Sequence, residues 1–172
     1  MKIPVDKATQ KKMDRVAKLK RNKLKNSARV IKPKVVHHKH TNLVNEVDRV
    51  FSHYIRFVRD KDKPCITCGR FYDEYDCGHF QVRTHMNTRY SEMNVAAQCG
   101  RCNWSQWGEQ LIFSRRVDEI YWKGTAEAIE ILARTPTQIK QFHLLEIYQK
   151  YYDILVENKI PFTPIKKYLW TQ

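Results

Sequence analysis

No apolar run in this 172-residue chain approaches the roughly 18 residues that a membrane span needs. The basic first residues are not followed by the apolar stretch of a secretory signal. The expectation is a cytoplasmic protein with no membrane partner. Internal repeats are absent, which excludes a solenoid or an array. Acidic side chains are nearly missing from the first forty residues, where only Asp6 and Asp14 stand against fourteen Lys and Arg. That segment therefore carries +12 of the formal +14. Cysteine is scarce too, and the count of five is odd, which fits metal thiolates in a reducing compartment better than a disulfide framework.

What is present begins with the charge. A polycation concentrated in one segment releases counterions from a phosphate backbone and supplies affinity that ignores base sequence, so nucleic acid is the favoured partner. Lys18, Lys20, Arg21, Lys23 and Lys25 form the densest part of this arm. Residues 6–31 contain neither Gly nor Pro, which permits a helix there, and Pro33 should end it. His37-His38-Lys39-His40 reads as a linker. The expected organisation is an arm and linker over residues 1–41 and a single domain over residues 42–172.

Within that domain, Leu43, Val47, Val50, Phe51, Tyr54, Ile55 and Val58 recur at steps of three and four and predict a first core helix over 42–58. Short aromatic or β-branched runs at 71–75 and 79–82, around Asp76 and Gly78, read as a hairpin. Amphipathic helices are expected over 111–121 and, after Gly124, over 125–133. Thr135-Pro136-Thr137-Gln138 has the pattern of a capping box and predicts a last helix running to about Glu157. Its Ile139, Phe142, Ile147, Tyr148, Tyr151 and Leu155 are expected in the core. Pro161 and Pro164 mark an irregular tail.

The chemistry lies between two identical clamps, Cys65-x-x-Cys68 and Cys99-x-x-Cys102. Each presents two thiolates at the bite of a tetrahedral zinc, and together they complete a closed structural Zn²⁺ site with no open position for catalysis. Cys77 is the sulfur left over and is expected to be packing. Reactive groups must come from the enclosed residues and those just beyond. His79 can take a proton near neutral pH. Asp76 and Asn103 offer oxygen ligands suited to Mg²⁺ or Mn²⁺. Asn94 is a further site candidate, expected to bridge backbone groups across the loop, and Arg83, His85 and Arg89 are candidate phosphate contacts. The implied fold class is α+β: a small zinc-stapled ββα core with flanking helices.

The ordered set Cys65-x-x-Cys68, Asp76-x-Gly78-His79, Arg89-Tyr90, Glu92-x-Asn94 and Gln98-Cys99-x-x-Cys102-Asn103 resembles the NinG family of phage recombination proteins, also called Rap. The resemblance covers about residues 43–157. It implies a zinc-containing, HNH-like ββα-metal endonuclease that acts on branched DNA, Holliday junctions or D-loops. By matching position it assigns the four cysteines to zinc and Asp76, His79 and Asn103 to the active site. In that case a homodimer would supply two symmetric cuts. The competing expectations are a sequence-guided or nicking HNH endonuclease and a non-enzymatic zinc-ribbon protein that binds nucleic acid through the same arm.

Deleting residues 1–36 should weaken binding to all DNAs alike and flatten the salt dependence by about 0.9 in log–log slope for each phosphate that the arm neutralises in the full-length protein. Titrations of both proteins at several salt concentrations measure this, and equal slopes would contradict it.

Overall fold

The chain divides at His37 into two units. The computed structural model describes residues 40–164, all within the second unit, and the cationic stretch around Lys18 to Lys25 lies outside the described residues. Helix α1, His40–Tyr54, runs into a wider π-helical turn, Ile55–Arg59. The three- and four-residue spacing puts Leu43, Val47, Val50, Phe51 and Ile55 on one face, and all five are buried. They pack on Leu144, Tyr148, Tyr151 and Leu155 of the last helix, α5, Gln141–Glu157. Each such side chain contributes about 1.5–3 kcal/mol when removed from water.

Strand β1, Asp76–His79, pairs antiparallel with β2, Val95–Gln98, in the register Asp76 to Gln98 and His79 to Val95. The connection holds a short helix α2, Met86–Arg89, and a 3-10 turn, Glu92–Asn94. A second π-helical turn, Arg101–Ser105, follows β2, and then come α3, Gln110–Ile120, and α4, Thr125–Arg134. Gly124 enters α4 at φ 93°, a conformation that favours glycine. Every residue of β2 is buried. Val95 joins the α1/α5 core, whereas Ala96 joins a second core with Phe80, Phe113, Val117, Ala126 and Ile129. Alternation along one strand thus feeds two helical layers.

A two-stranded sheet leaves an outer edge on β2, and that edge is filled. The Arg59 guanidinium donates to the carbonyls of Glu92 (2.6 Å) and Val95 (2.7 Å). Asp60 accepts from the Ala97 amide (3.0 Å), and the Ile66 amide donates to the Ala97 carbonyl (3.0 Å). Arg59 and Asp60 also form a two-bond ion pair, at 2.9 and 2.6 Å. Burial alone would raise the Asp60 carboxyl, but Arg59, Lys63 and the Ala97 amide outweigh it and hold the group below the usual carboxylate range.

Two sequence expectations are corrected. The hairpin uses neither residues 71–75 nor 80–82: both stay outside the sheet, β1 forms from the residues around Asp76 and Gly78 that lie between them, and its partner is Val95–Gln98. That strand is buried on both faces and so lacks the alternation that marks a half-exposed one. The last helix does not open at Thr135-Pro136, because the Thr135 hydroxyl donates back to Ile131 of α4 (3.0 Å) and so is not spent on a new cap. The helix starts at Gln141 with Lys140 before it, and Phe142 lies exposed, outside the core. The helices expected over 42–58, 111–121 and 125–133 match within a few residues, and the one expected within 6–31 lies outside the described residues. Among the described residues, no helix is long and apolar enough to cross a membrane.

Asp60→Ala should strand the buried Arg59 charge and open the β2 edge, lowering stability by about 3–5 kcal/mol. Urea unfolding of the folded variant against wild type checks this, and a loss no larger than that of an exposed ion pair would contradict it.

Candidate functional site

The first knuckle is closed by backbone bonds: the Gly69 amide donates to the Cys65 carbonyl and the Cys65 amide to the Arg70 carbonyl, both at 2.9 Å. Gly69 sits at φ 69°, which a Cβ would strain. The second knuckle continues straight into the π-helical turn, with the Asn103 amide on the Cys99 carbonyl (2.9 Å). The Cys99 amide donates to the Cys65 sulfur (3.3 Å), the kind of bond that stabilises a thiolate. The sulfurs of Cys65, Cys68, Cys99 and Cys102 all lie within 4.8 Å of one another. A tetrahedral zinc with Zn–S near 2.3 Å needs sulfurs roughly 3.8 Å apart, so the four could hold that ion with small adjustments. Cys77 is not part of this cluster and packs against the α1/α5 core. Burial pushes its thiol up to about 12.

Next to the cluster is a small cleft of about 170 Å³, lined among others by Asp48, Asp76, His79, Arg83, Asn103 and Trp104. β1 carries Asp76 at its start and His79 at its end, and the turn after the second knuckle brings Asn103 and Trp104 to the same place. Asn103 Nδ2 (3.1 Å) and Trp104 Nε1 (2.8 Å) both donate to Oδ2 of Asp76. Neither Oδ1 of Asp76 nor Oδ1 of Asn103 accepts a hydrogen bond among the described residues. Two oxygens of hard character are thus left without a partner and could serve as ligands to a cation such as Mg²⁺.

His79 has a carbonyl oxygen at each ring nitrogen: Cys77 O at Nδ1 and Arg89 O at Nε2, each at 3.2 Å. Burial, with the Arg83 charge acting in the same direction, lowers its pKa to about 4 against the pull of those carbonyls. The ring is therefore neutral at pH 7. A neutral imidazole has one N–H and satisfies one carbonyl, so the lone pair of the other nitrogen faces a carbonyl oxygen. Protonation would let both carbonyls accept.

The remaining candidates are placed as follows. Asn94 is fully buried and bonds backbone only: it accepts from the Gln81 amide (2.7 Å) and donates to the carbonyls of Gln81 and Thr88 (both 3.0 Å). It closes the long loop the way a further pair of ladder bonds would. Arg89 is engaged in two hydrogen bonds with Asp48 and a third to the Arg83 carbonyl, which positions the loop. His85 precedes α2 and is partly exposed, and its carbonyl accepts from the Arg89 amide (3.0 Å). Glu92 accepts from the hydroxyls of Tyr54 (2.9 Å) and Tyr151 (3.0 Å), tying the loop to α1 and α5.

Sequence reasoning missed Asp48 and Trp104. Asp48 lies on the polar side of α1, almost thirty residues before Asp76, where nothing local marks it. Trp104 carried a signal, being a large aromatic immediately after Asn103.

A family model described as bacteriophage lambda NinG protein matches residues 1–157. No curated protein matches the chain, and no solved structure does.

Cys65→Ser should abolish stoichiometric zinc and collapse thermal stability, since structural zinc contributes on the order of 10–16 kcal/mol of apparent folding free energy. Metal analysis and melting of the purified variant test this, and retained zinc with an unchanged melting temperature would refute it.

Proposed function

The chain belongs to the NinG family, and from that membership together with the cleft we propose that it is a structure-selective DNA endonuclease that hydrolyses phosphodiesters in branched recombination intermediates. The core is read as a zinc-stapled, HNH-like ββα-metal unit: β1, β2 and the turn carrying Asn103. One observation supports the reading most: Asp76, His79, Arg83 and Asn103, separated by up to 27 residues in sequence, line a single cleft. A purely binding zinc ribbon has no need to collect a histidine, a carboxylate and an amide in one place.

In this mechanism His79 is the general base. With the ring turned from one of the carbonyls of Cys77 and Arg89 toward the cleft that it lines, its unprotonated nitrogen takes a proton from water. Because burial keeps the ring neutral well below pH 7, the base is ready without a prior deprotonation. Asp76 and Asn103 would hold the catalytic Mg²⁺ or Mn²⁺, which supplies positive charge to the phosphate in the transition state. Trp104 and Asn103 fix the Asp76 carboxylate through Oδ2 and leave Oδ1 without a hydrogen bond. Arg83 is exposed at the mouth and suits a phosphate oxygen. The four-cysteine cluster takes no part in the reaction and holds the turn that carries Asn103. The cationic arm supplies affinity without choosing a structure, and a pair of subunits would place the two cuts that resolving a four-way junction requires.

His79→Ala should lower Mg²⁺-dependent turnover on a four-way junction by about 10²- to 10⁴-fold with junction affinity near wild type, since a general base acts in the transition state. Cleavage and binding assays on flap, fork and four-way substrates test it. Wild-type turnover in the variant would sink the mechanism.

A further inference from the structure

The turn after the second knuckle holds a large aromatic ring out in solvent. Trp107 is 90% exposed, the most exposed of the large apolar side chains among the described residues, and its backbone is left-handed at φ 53°. Gly108 follows at φ 80°, and the Glu109 amide bonds the Gln106 carbonyl (3.0 Å). This is a turn with both central residues at positive φ, a position where Asn-Gly is favoured and a bulky residue is an outlier. Nor is the turn loose: the Gly108 amide donates to the Cys102 carbonyl (3.0 Å), and the Gly108 carbonyl accepts from the buried Gln98 side chain (2.9 Å). The ring therefore stands on a mount fixed to both the second knuckle and β2.

The surroundings of the mount point to its ligand. Trp107, Val82 and Leu111, all exposed, line a hollow of about 460 Å³. The linings of hollow and cleft come within a few residues of each other along the chain at two places. Val82 lines the hollow and the next residue, Arg83, lines the cleft; Trp107 lines the hollow and Trp104, three residues earlier, lines the cleft. A polyanion that meets the exposed Arg83 at the cleft thus comes close to a planar ring on a rigid support. Every nucleobase has a face that stacks on indole, and the face is reachable only where the duplex is interrupted.

Resting on the endonuclease reading above, we propose that Trp107 is a specificity-determining residue that stacks on an unpaired base at the branch point. It is what makes the site prefer interrupted duplexes to continuous ones. The ring has no reacting atom to serve, so its contribution is to binding and register of the substrate.

Trp107→Asn separates this from a structural role, because Asn-Gly suits the turn and removes the indole from water. The full-length protein is titrated with a four-way junction and a linear duplex in Ca²⁺, so that affinity is read without cleavage, with 2-aminopurine at the branch point reporting stacking. The variant should melt at a higher temperature than wild type, lose the fluorescence quench, and show a junction-to-duplex affinity ratio reduced about 5- to 100-fold, with Trp107→Phe retaining most of it. A ratio within about two-fold of wild type in the folded variant overturns the inference while leaving the endonuclease reading in place. A wild-type protein with no preference for the junction overturns that reading and this one with it. Light scattering completes the test: loss of a dimer in parallel with the affinity change would assign the ring to an interface between copies and overturn base stacking.

Discussion

The outer edge of β2 is the constraint on which the rest of the structure depends. A sheet of two short strands cannot bury or pair its own backbone, and each buried amide or carbonyl left without a partner costs about 1–3 kcal/mol. Arg59, Asp60 and Ile66 fill that edge, and they serve two further tasks. Arg59 and Asp60 end the extended first helix. Ile66 sits beside the first zinc-knuckle cysteine. Satisfying one strand therefore fixes the α1/α5 layer, the knuckle and the hairpin relative to one another, with the cleft at their junction. The π-helical turn matters for the same reason: its wide Asp60-to-Ile55 bond (2.9 Å) ends the helix where the pair meets the strand.

The two carboxylates at the cleft differ in how they are held. Asp48 meets the Arg89 guanidinium in two hydrogen bonds, so its charge is compensated within the protein. Asp76 receives only neutral donors, Asn103 and Trp104, and both on one oxygen. Its other oxygen accepts no hydrogen bond among the described residues. That contrast separates a carboxylate that builds the loop from one equipped to meet a cation. His79 shows a related division, since the carbonyls that border its nitrogens oppose the effect of burial without overcoming it.

Much of this is legible from residues alone. The paired clamps point to the sulfur cluster, because metal spacing is short-range and strict, and Asp76, His79 and Asn103 stand out by their order around it. The amphipathic helices follow from periodicity. The rest fails where a local pattern meets a non-local competitor. Val95–Gln98 is buried on both faces by helices distant in sequence, which erases alternation. Thr135 has the chemistry of a cap, but a carbonyl one turn back takes its hydroxyl. Phe142 has helical spacing, yet the helix begins just before it and turns it to solvent. Asp48 and the Arg59–Asp60 pair cannot be read at all, because their partners lie more than thirty residues away.

Gly78 and Gln98 form one unit of sequence variation. A Cβ built at Gly78 would come within 2.3 Å of Gln98 Oε1 and 2.8 Å of its Cβ, so the long amide fits only because β1 has no side chain there. That amide in turn donates to Thr67 in the first knuckle (2.6 Å) and to Gly108 beneath Trp107. A side chain at position 78 is thus tolerated only by a chain that has also given up the side chain at position 98 down to its Cβ, and with it the bridge between knuckle and turn. The two positions are coupled in what they can become, and through them the hairpin, the knuckle and the tryptophan turn must change together.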